Sequence, residues 1–172
     1  MKVIKAFGPR DLRVVDVPIP EPAPGYVRIK VCASGICGSD KWIWYANEKT
    51  DEIAGHEAAG VIDKLGEGVT TLALGDRVMI NNVVGCGKCS YCHAGAFVLC
   101  PFWDGSRDVN NGFGEYVVAP ARNCVHILPG LDFIDGAGSG KRAWQHCDDE
   151  RADAWPFGRP GWRGGDAIRA HR

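Results

Sequence analysis

The sequence predicts a mainly β domain, an antiparallel barrel or sandwich with short helices, and three observations lead there. Short β-rich runs recur through residues 1–128, each bounded by Gly, Pro or Asp turn signals. Amphipathic helical periodicity is almost absent. The 45% hydrophobic content suffices for one core in a chain of 172 residues.

The elements follow in order. Residues 1–7 and 11–17 are β-rich runs parted by Gly8-Pro9. Pro18, Pro20, Pro22 and Pro24 cannot donate to a ladder, so the segment ending at Gly25 is an extended surface connector. Tyr26–Val31 alternates, with Val27, Ile29 and Val31 on one face of a half-buried strand, and Cys32 continues it as a small core residue. Residues 36–46 predict a short helix. Ala58–Leu65 is a strand closed by Gly66-Glu67-Gly68, and Gly75-Asp76 opens another through Ile80. Phe113–Ala119 and Asn123–Leu128 supply two more, the second stopped by Pro129-Gly130.

Residues 136–172 change character. Ile168 is their only Val, Ile, Leu or Met, against six arginines, seven glycines and three tryptophans. Such a segment buries little aliphatic surface against its ordering entropy, which predicts a disordered tail after a domain spanning 1–135. An arm anchored by Trp144, Trp155 and Trp162 is the alternative.

Between the β-runs lies a dense cysteine cluster. Cys86, Cys89, Cys92 and Cys100 are spaced C-x2-C-x2-C-x7-C within a lobe covering 85–101. Two C-x2-C steps bring thiolates close enough to share one ion, and four thiolates complete a tetrahedral shell, so the cluster reads as a closed structural zinc site. Disulfides would suit a secreted chain. An iron–sulfur cluster is the nearer rival, since C-x2-C-x2-C and Cys100-Pro101 occur in ferredoxins, but the last gap is seven residues rather than three. His93, inside the lobe, is expected on the surface.

Composition narrows the functional classes. A formal charge of −1 offers no dedicated surface for nucleic acid or membrane, and no partner of either kind is expected. No eighteen-residue apolar window and no apolar leader occur, and eight cysteines without an export signal predict reduced thiols in a cytoplasmic protein.

Outside the lobe, Cys37 and His56 are the chemically loaded pair. Taken singly, a cysteine and a histidine are more often packing residues than ligands. Their neighbours are Gly35-Ile36-Cys37-Gly38-Ser39-Asp40 and Gly55-His56-Glu57-Ala58-Ala59-Gly60-Val61. These fragments, followed by the four-cysteine lobe, Gly75-Asp76-Arg77-Val78 and Gly114-Glu115-Tyr116-Val117, strongly resemble the zinc-dependent medium-chain alcohol and polyol dehydrogenases. The resemblance covers about residues 1–137.

That resemblance implies a GroES-like barrel with two zincs, one catalytic and one structural. It assigns the catalytic zinc to Cys37 and His56, and, as in the sorbitol-type polyol dehydrogenases, to Glu57. In other members a distant cysteine completes the set. Adjacent side chains on a flat strand point apart, so joint ligation by His56 and Glu57 needs a turn, which Gly55 permits. Ser39 matches the hydroxyl that passes on the alcohol proton. Asp40 would steer the His56 imidazole, although Ser39 and Asp40 also fit a helix N-cap. Trp42 stands where many relatives carry a relay histidine, with Trp44 and Tyr45 as further aromatic neighbours.

The implied activity is oxidation of a small primary or secondary alcohol or polyol, with hydride transfer to NAD(P)+. The family's nucleotide-binding domain carries a Gly-x-Gly-x-x-Gly turn, and this sequence contains none, so the Rossmann domain is expected to be absent. The shift in composition after residue 135 is expected from a truncated or frame-shifted gene. The alternative function is a catalytically inactive zinc-binding remnant, and an oligomer is not implied.

Overall fold

The computed structural model describes residues 1–45, 54–103, 109, 111–138 and 167–169, with side chains except at 42–44 and 167–169. Its first two strands, β1 (Lys2–Gly8) and β2 (Asp11–Asp16), form an antiparallel hairpin. Backbone bonds from Ile4 to Phe113 and from Ala54 to Ile4 stitch that hairpin to the rest of the domain.

The main sheet is built around β3 (Tyr26–Gly35) and β4 (Glu57–Leu65). Its order runs β6-β3-β4-β5-β7, all antiparallel, with β5 (Arg77–Ile80), β6 (Tyr116–Pro120) and β7 (Cys124–His126). The sheet curls into the half-barrel of a mainly β domain with few short helices. Val27, Ile29, Ile62, Val78 and Val117 fill its interior and are almost wholly buried. Each contributes about 1.5–3 kcal/mol through removal of apolar surface from water.

Bulges re-aim β3 along its length. The β3–β4 register shifts between Arg28 and Ile29 and again between Val31 and Ala33. Val27 and Ile29 therefore face the barrel core, whereas Ala33 joins Ala59, Ile127 and Ala137 in a second cluster. Cys32, expected in the core, is half-buried instead, because it sits at the second shift. Desolvation still pushes its thiol pKa up.

The proline connector has no regular structure and is mostly exposed, and Arg28 holds it down. Its guanidinium pairs with both oxygens of Asp63, with Glu21 and with the Pro20 carbonyl, and lies 5.4 Å from the Tyr116 ring centre.

Three short α-helices, α1 (Asp40–Tyr45), α2 (Ser90–His93) and α3 (Phe133–Gly138), and two 3-10 turns, Phe97–Leu99 and Ala121–Asn123, join the strands of the described residues. α3 runs past the expected boundary at residue 135. It can do so because Gly136 has no side chain: a Cβ there would meet Ile127 Cδ1 at 2.7 Å, so the helix seats Ala137 directly on the sheet. Most of the expected tail, including its tryptophans, lies outside the described residues. Within it, β8 (Ala167–Arg169) pairs with the end of β3, from Ala33 to Gly35. No helix among the described residues is long and apolar enough to cross a membrane.

Candidate metal centres

The lobe brings Cys86, Cys89, Cys92 and Cys100 together with their sulfurs all within 4.8 Å of one another. Cys86 and Cys92 Sγ stand 3.8 Å apart, and Cys89 and Cys100 Sγ 3.9 Å. A tetrahedral zinc with Zn–S bonds of about 2.3 Å requires sulfur separations of about 3.8 Å. These separations are too long for disulfides. They are also short for a cluster whose cysteines bind different iron atoms. The donor chemistry fits one tetrahedral ion with no open position.

The lobe backbone prepares the sulfurs for that charge. Lys88 N–H donates to Cys86 Sγ, Cys86 N–H to Cys100 Sγ and Cys92 N–H to Cys89 Sγ, each at 3.4 Å. The Lys88 amide holds the Cys86 thiol down at about 6, and the Cys86 amide lowers Cys100. Burial works the other way on Cys92, pushing it up to about 11. His93 is exposed, as expected, at the end of α2.

Residues distant in sequence anchor this lobe. Arg122 Nη2 donates to the Gly85 carbonyl at 2.9 Å. Buried Asn123 donates through Nδ2 to the carbonyls of Asn81 and Val83, both at 2.8 Å. Both tie the irregular segment between β5 and the lobe to the residues just ahead of β7. Sequence reasoning missed them, since such contacts span about forty residues and leave no local pattern.

The second centre lies where β3 ends and β4 begins. One donor atom from each of Cys37, His56 and Glu57 falls within 4.8 Å of the other two. Gly55 makes the turn that lets neighbours converge: its φ is +90°, and a Cβ there would collide with Phe113 at 2.6 Å. Cys37 is buried, while His56 and Glu57 are half-buried.

Asp40 ties two of these residues together. Its Oδ2 accepts the Cys37 N–H at 2.7 Å, and its Oδ1 lies 3.5 Å from His56 Nδ1. With Nδ1 turned to a carboxylate, the Nε2 lone pair is the one available to an ion. Ser39 Oγ stands 3.3 Å from that Nε2 and is exposed. One sulfur, one nitrogen and one oxygen form a three-donor set, which suits zinc and leaves a fourth position open.

Of the aromatic residues expected nearby, Tyr45 is exposed, with the Arg10 guanidinium 5.8 Å from its ring centre. The side chains of Trp42 and Trp44 lie outside the described residues.

A family model for the alcohol dehydrogenase GroES-like domain matches residues 23–129. The chain belongs to this family. Among its GroES-like relatives, the starvation-sensing protein RspB of Escherichia coli is 41% identical over 131 residues, 74% of this chain and 39% of that protein. L-threonine 3-dehydrogenase of Pyrococcus abyssi is 38% identical over 130 residues, 72% of this chain and 36% of that protein. The chain therefore spans between 36% and 39% of the length of these relatives.

Solved structures agree on the GroES-like fold. RspB of E. coli CFT073, complexed with NADH, superposes with a TM-score of 0.69 at 37% identity, over 80% of this chain and 41% of that one. A cobalt- and zinc-bound thermostable alcohol dehydrogenase of Pyrobaculum aerophilum gives 0.70 at 30% identity, over 80% and 44%.

Proposed function

We propose that this chain is the metal-bearing catalytic domain of a zinc- and NAD(P)-dependent dehydrogenase acting on a small alcohol or polyol. The convergence of Cys37, His56 and Glu57 carries the reading, since a sulfur, a nitrogen and an oxygen come within 4.8 Å of one another as a three-donor set, one short of the four that zinc takes. Relatives bearing NADH, or cobalt and zinc, support the choice of partners, and a threonine dehydrogenase among them favours a secondary alcohol. Seven free thiols among the described residues suit a reducing compartment such as the cytoplasm.

Zinc at this centre supplies Lewis acidity to a substrate hydroxyl, and NAD(P)+ supplies the hydride acceptor. The chain's own residues do the rest. Cys37, His56 and Glu57 would hold the ion, one donor atom from each. Asp40 keeps the imidazole turned so that Nε2, not Nδ1, faces the centre. Ser39, beside that nitrogen and open to solvent, takes the alcohol proton outward. The four-thiol lobe has no vacancy for substrate, so its role is scaffolding.

A second reading is a domain that binds metal without turnover by itself, since the two donor clusters are what the described residues assemble. Metal analysis combined with a nicotinamide assay over a panel of alcohols separates the two. The dehydrogenase reading expects two zincs per chain, one of them lost in His56→Ala, and alcohol-dependent NAD(P)H formation. Two zincs with no turnover of any alcohol would select the second reading.

A further inference from the structure

Gly35 and Glu57 face each other across the last rung of the β3–β4 ladder. A Cβ built on Gly35 would lie 2.7 Å from Glu57 Oε2, 3.2 Å from Glu57 Cβ and 3.3 Å from the Ala137 carbonyl oxygen. The Glu57 side chain is thus folded across the bare Cα of Gly35, with its carboxylate in the space a side chain would occupy. Directly opposed residues in an antiparallel pair hold their Cβ atoms about 4.5–5.5 Å apart, so only a glycine leaves this berth empty.

We propose that Gly35 is a positioning residue for the Cys37–His56–Glu57 centre, whose missing side chain lets Glu57 lay its carboxylate beside Cys37 and His56. The proposal rests on the metal-site reading above. The requirement is for space and not for backbone conformation. Gly35 lies outside the left-handed region that Gly55 occupies, so alanine is acceptable to its main chain. The nearest obstacle is the far end of a flexible side chain, which rotates away more readily than a strand moves. A methyl group at residue 35 therefore evicts the carboxylate and leaves the sheet standing. Two of the three donors then remain, since Cys37 and His56 are held together through Asp40.

Cobalt(II) titration of the full chain, followed by visible absorption, tests this as a double-mutant cycle. Wild type is expected to bind cobalt at both centres. Gly35→Ala should weaken the Cys37 centre about 10–100-fold while leaving the four-thiolate bands unchanged. Glu57→Ala should weaken it by a similar factor, and Gly35→Ala in the Glu57→Ala background should cost nothing further. Wild-type affinity in Gly35→Ala overturns the proposal, as does an additional loss in the double variant. Should Gly35→Ala fail to fold, the double variant should fold, because the carboxylate that stands nearest the new methyl has gone and only the looser contacts with the residue 57 Cβ at 3.2 Å and the Ala137 carbonyl at 3.3 Å remain; its failure to fold also overturns the proposal. A wild-type chain that takes up cobalt only at the four thiols brings down the metal-site reading itself, and this proposal with it.

Discussion

The two donor clusters are assembled by opposite means. The four thiols come from fifteen consecutive residues, and the amides that favour their charge belong to the same loop. Cys37, His56 and Glu57 are brought together by the β3–β4 ladder, the positive-φ turn at Gly55 and the buried carboxylate of Asp40. A cluster closed within one loop needs little from the rest of the fold and is sealed by its own ligands. A cluster assembled at the end of a sheet needs the whole barrel, and leaves a side open for chemistry. On the function proposed above, the difference separates scaffold from reactivity within one domain.

The largest test of that separation removes one thiolate. Structural zinc sites in zinc-finger peptides contribute about 10–16 kcal/mol of apparent binding free energy, and that binding is coupled to folding. Cys89→Ser should therefore lose one zinc per chain and open residues 86–100 to proteolysis, while the Cys37 centre keeps its ion. Loss of both ions would show that the centres are coupled. Metal analysis and limited proteolysis on the same preparation decide it.

A smaller effect approaches from the barrel side. Ile62 is almost fully buried and sits opposite Ile29 in the ladder that carries Glu57. Ile62→Ala should cost about 2–5 kcal/mol through lost burial and the cavity left behind. In a cobalt-loaded thermal melt, far-ultraviolet dichroism should fall at a lower temperature than in wild type, and the bands of the Cys37 centre should fall with it. The thiolate bands of the lobe should outlast both. Simultaneous loss of all three signals would join the lobe to the barrel as one cooperative unit.

The same contrast explains what was legible in the sequence. The lobe could be read from spacing alone, because C-x2-C steps bring sulfurs together within a turn or two. Strands were legible where alternation met a turn signal, as at Tyr26–Val31 and Arg77–Ile80. The second centre needed family resemblance, since nothing local says that Cys37 and His56 meet. Gly55 could be anticipated, because the ligand set demanded a turn. The opposition of Gly35 to Glu57 could not, since it depends on register, and β3 changes register twice. Cys32 was misplaced for the same reason. Arg122 and Asn123 act on the lobe from some forty residues away. The pairing of β8 with β3 was hidden by a composition with hardly any aliphatic residues.

The smallest expected effect concerns the β5–β7 edge of the sheet. Asp76 precedes β5, accepts the Ala73 N–H at 2.8 Å, and lies 3.0 Å from His126 Nε2 on β7. The Ala73 amide first, and then His126, hold its carboxyl below the ordinary value. A carboxylate whose pKa is depressed by folding stabilises the fold above its unfolded value of about 3.9, and that contribution fades as pH falls through the lower folded value. Asp76→Asn should therefore melt slightly below wild type at neutral pH, and the gap should narrow steadily as pH falls below about 5. Both contacts lie on the barrel, so lobe metal content in the variant should match wild type throughout. A melting gap that stays constant into acid would assign the contribution of Asp76 to its shape and hydrogen bonding instead of its charge.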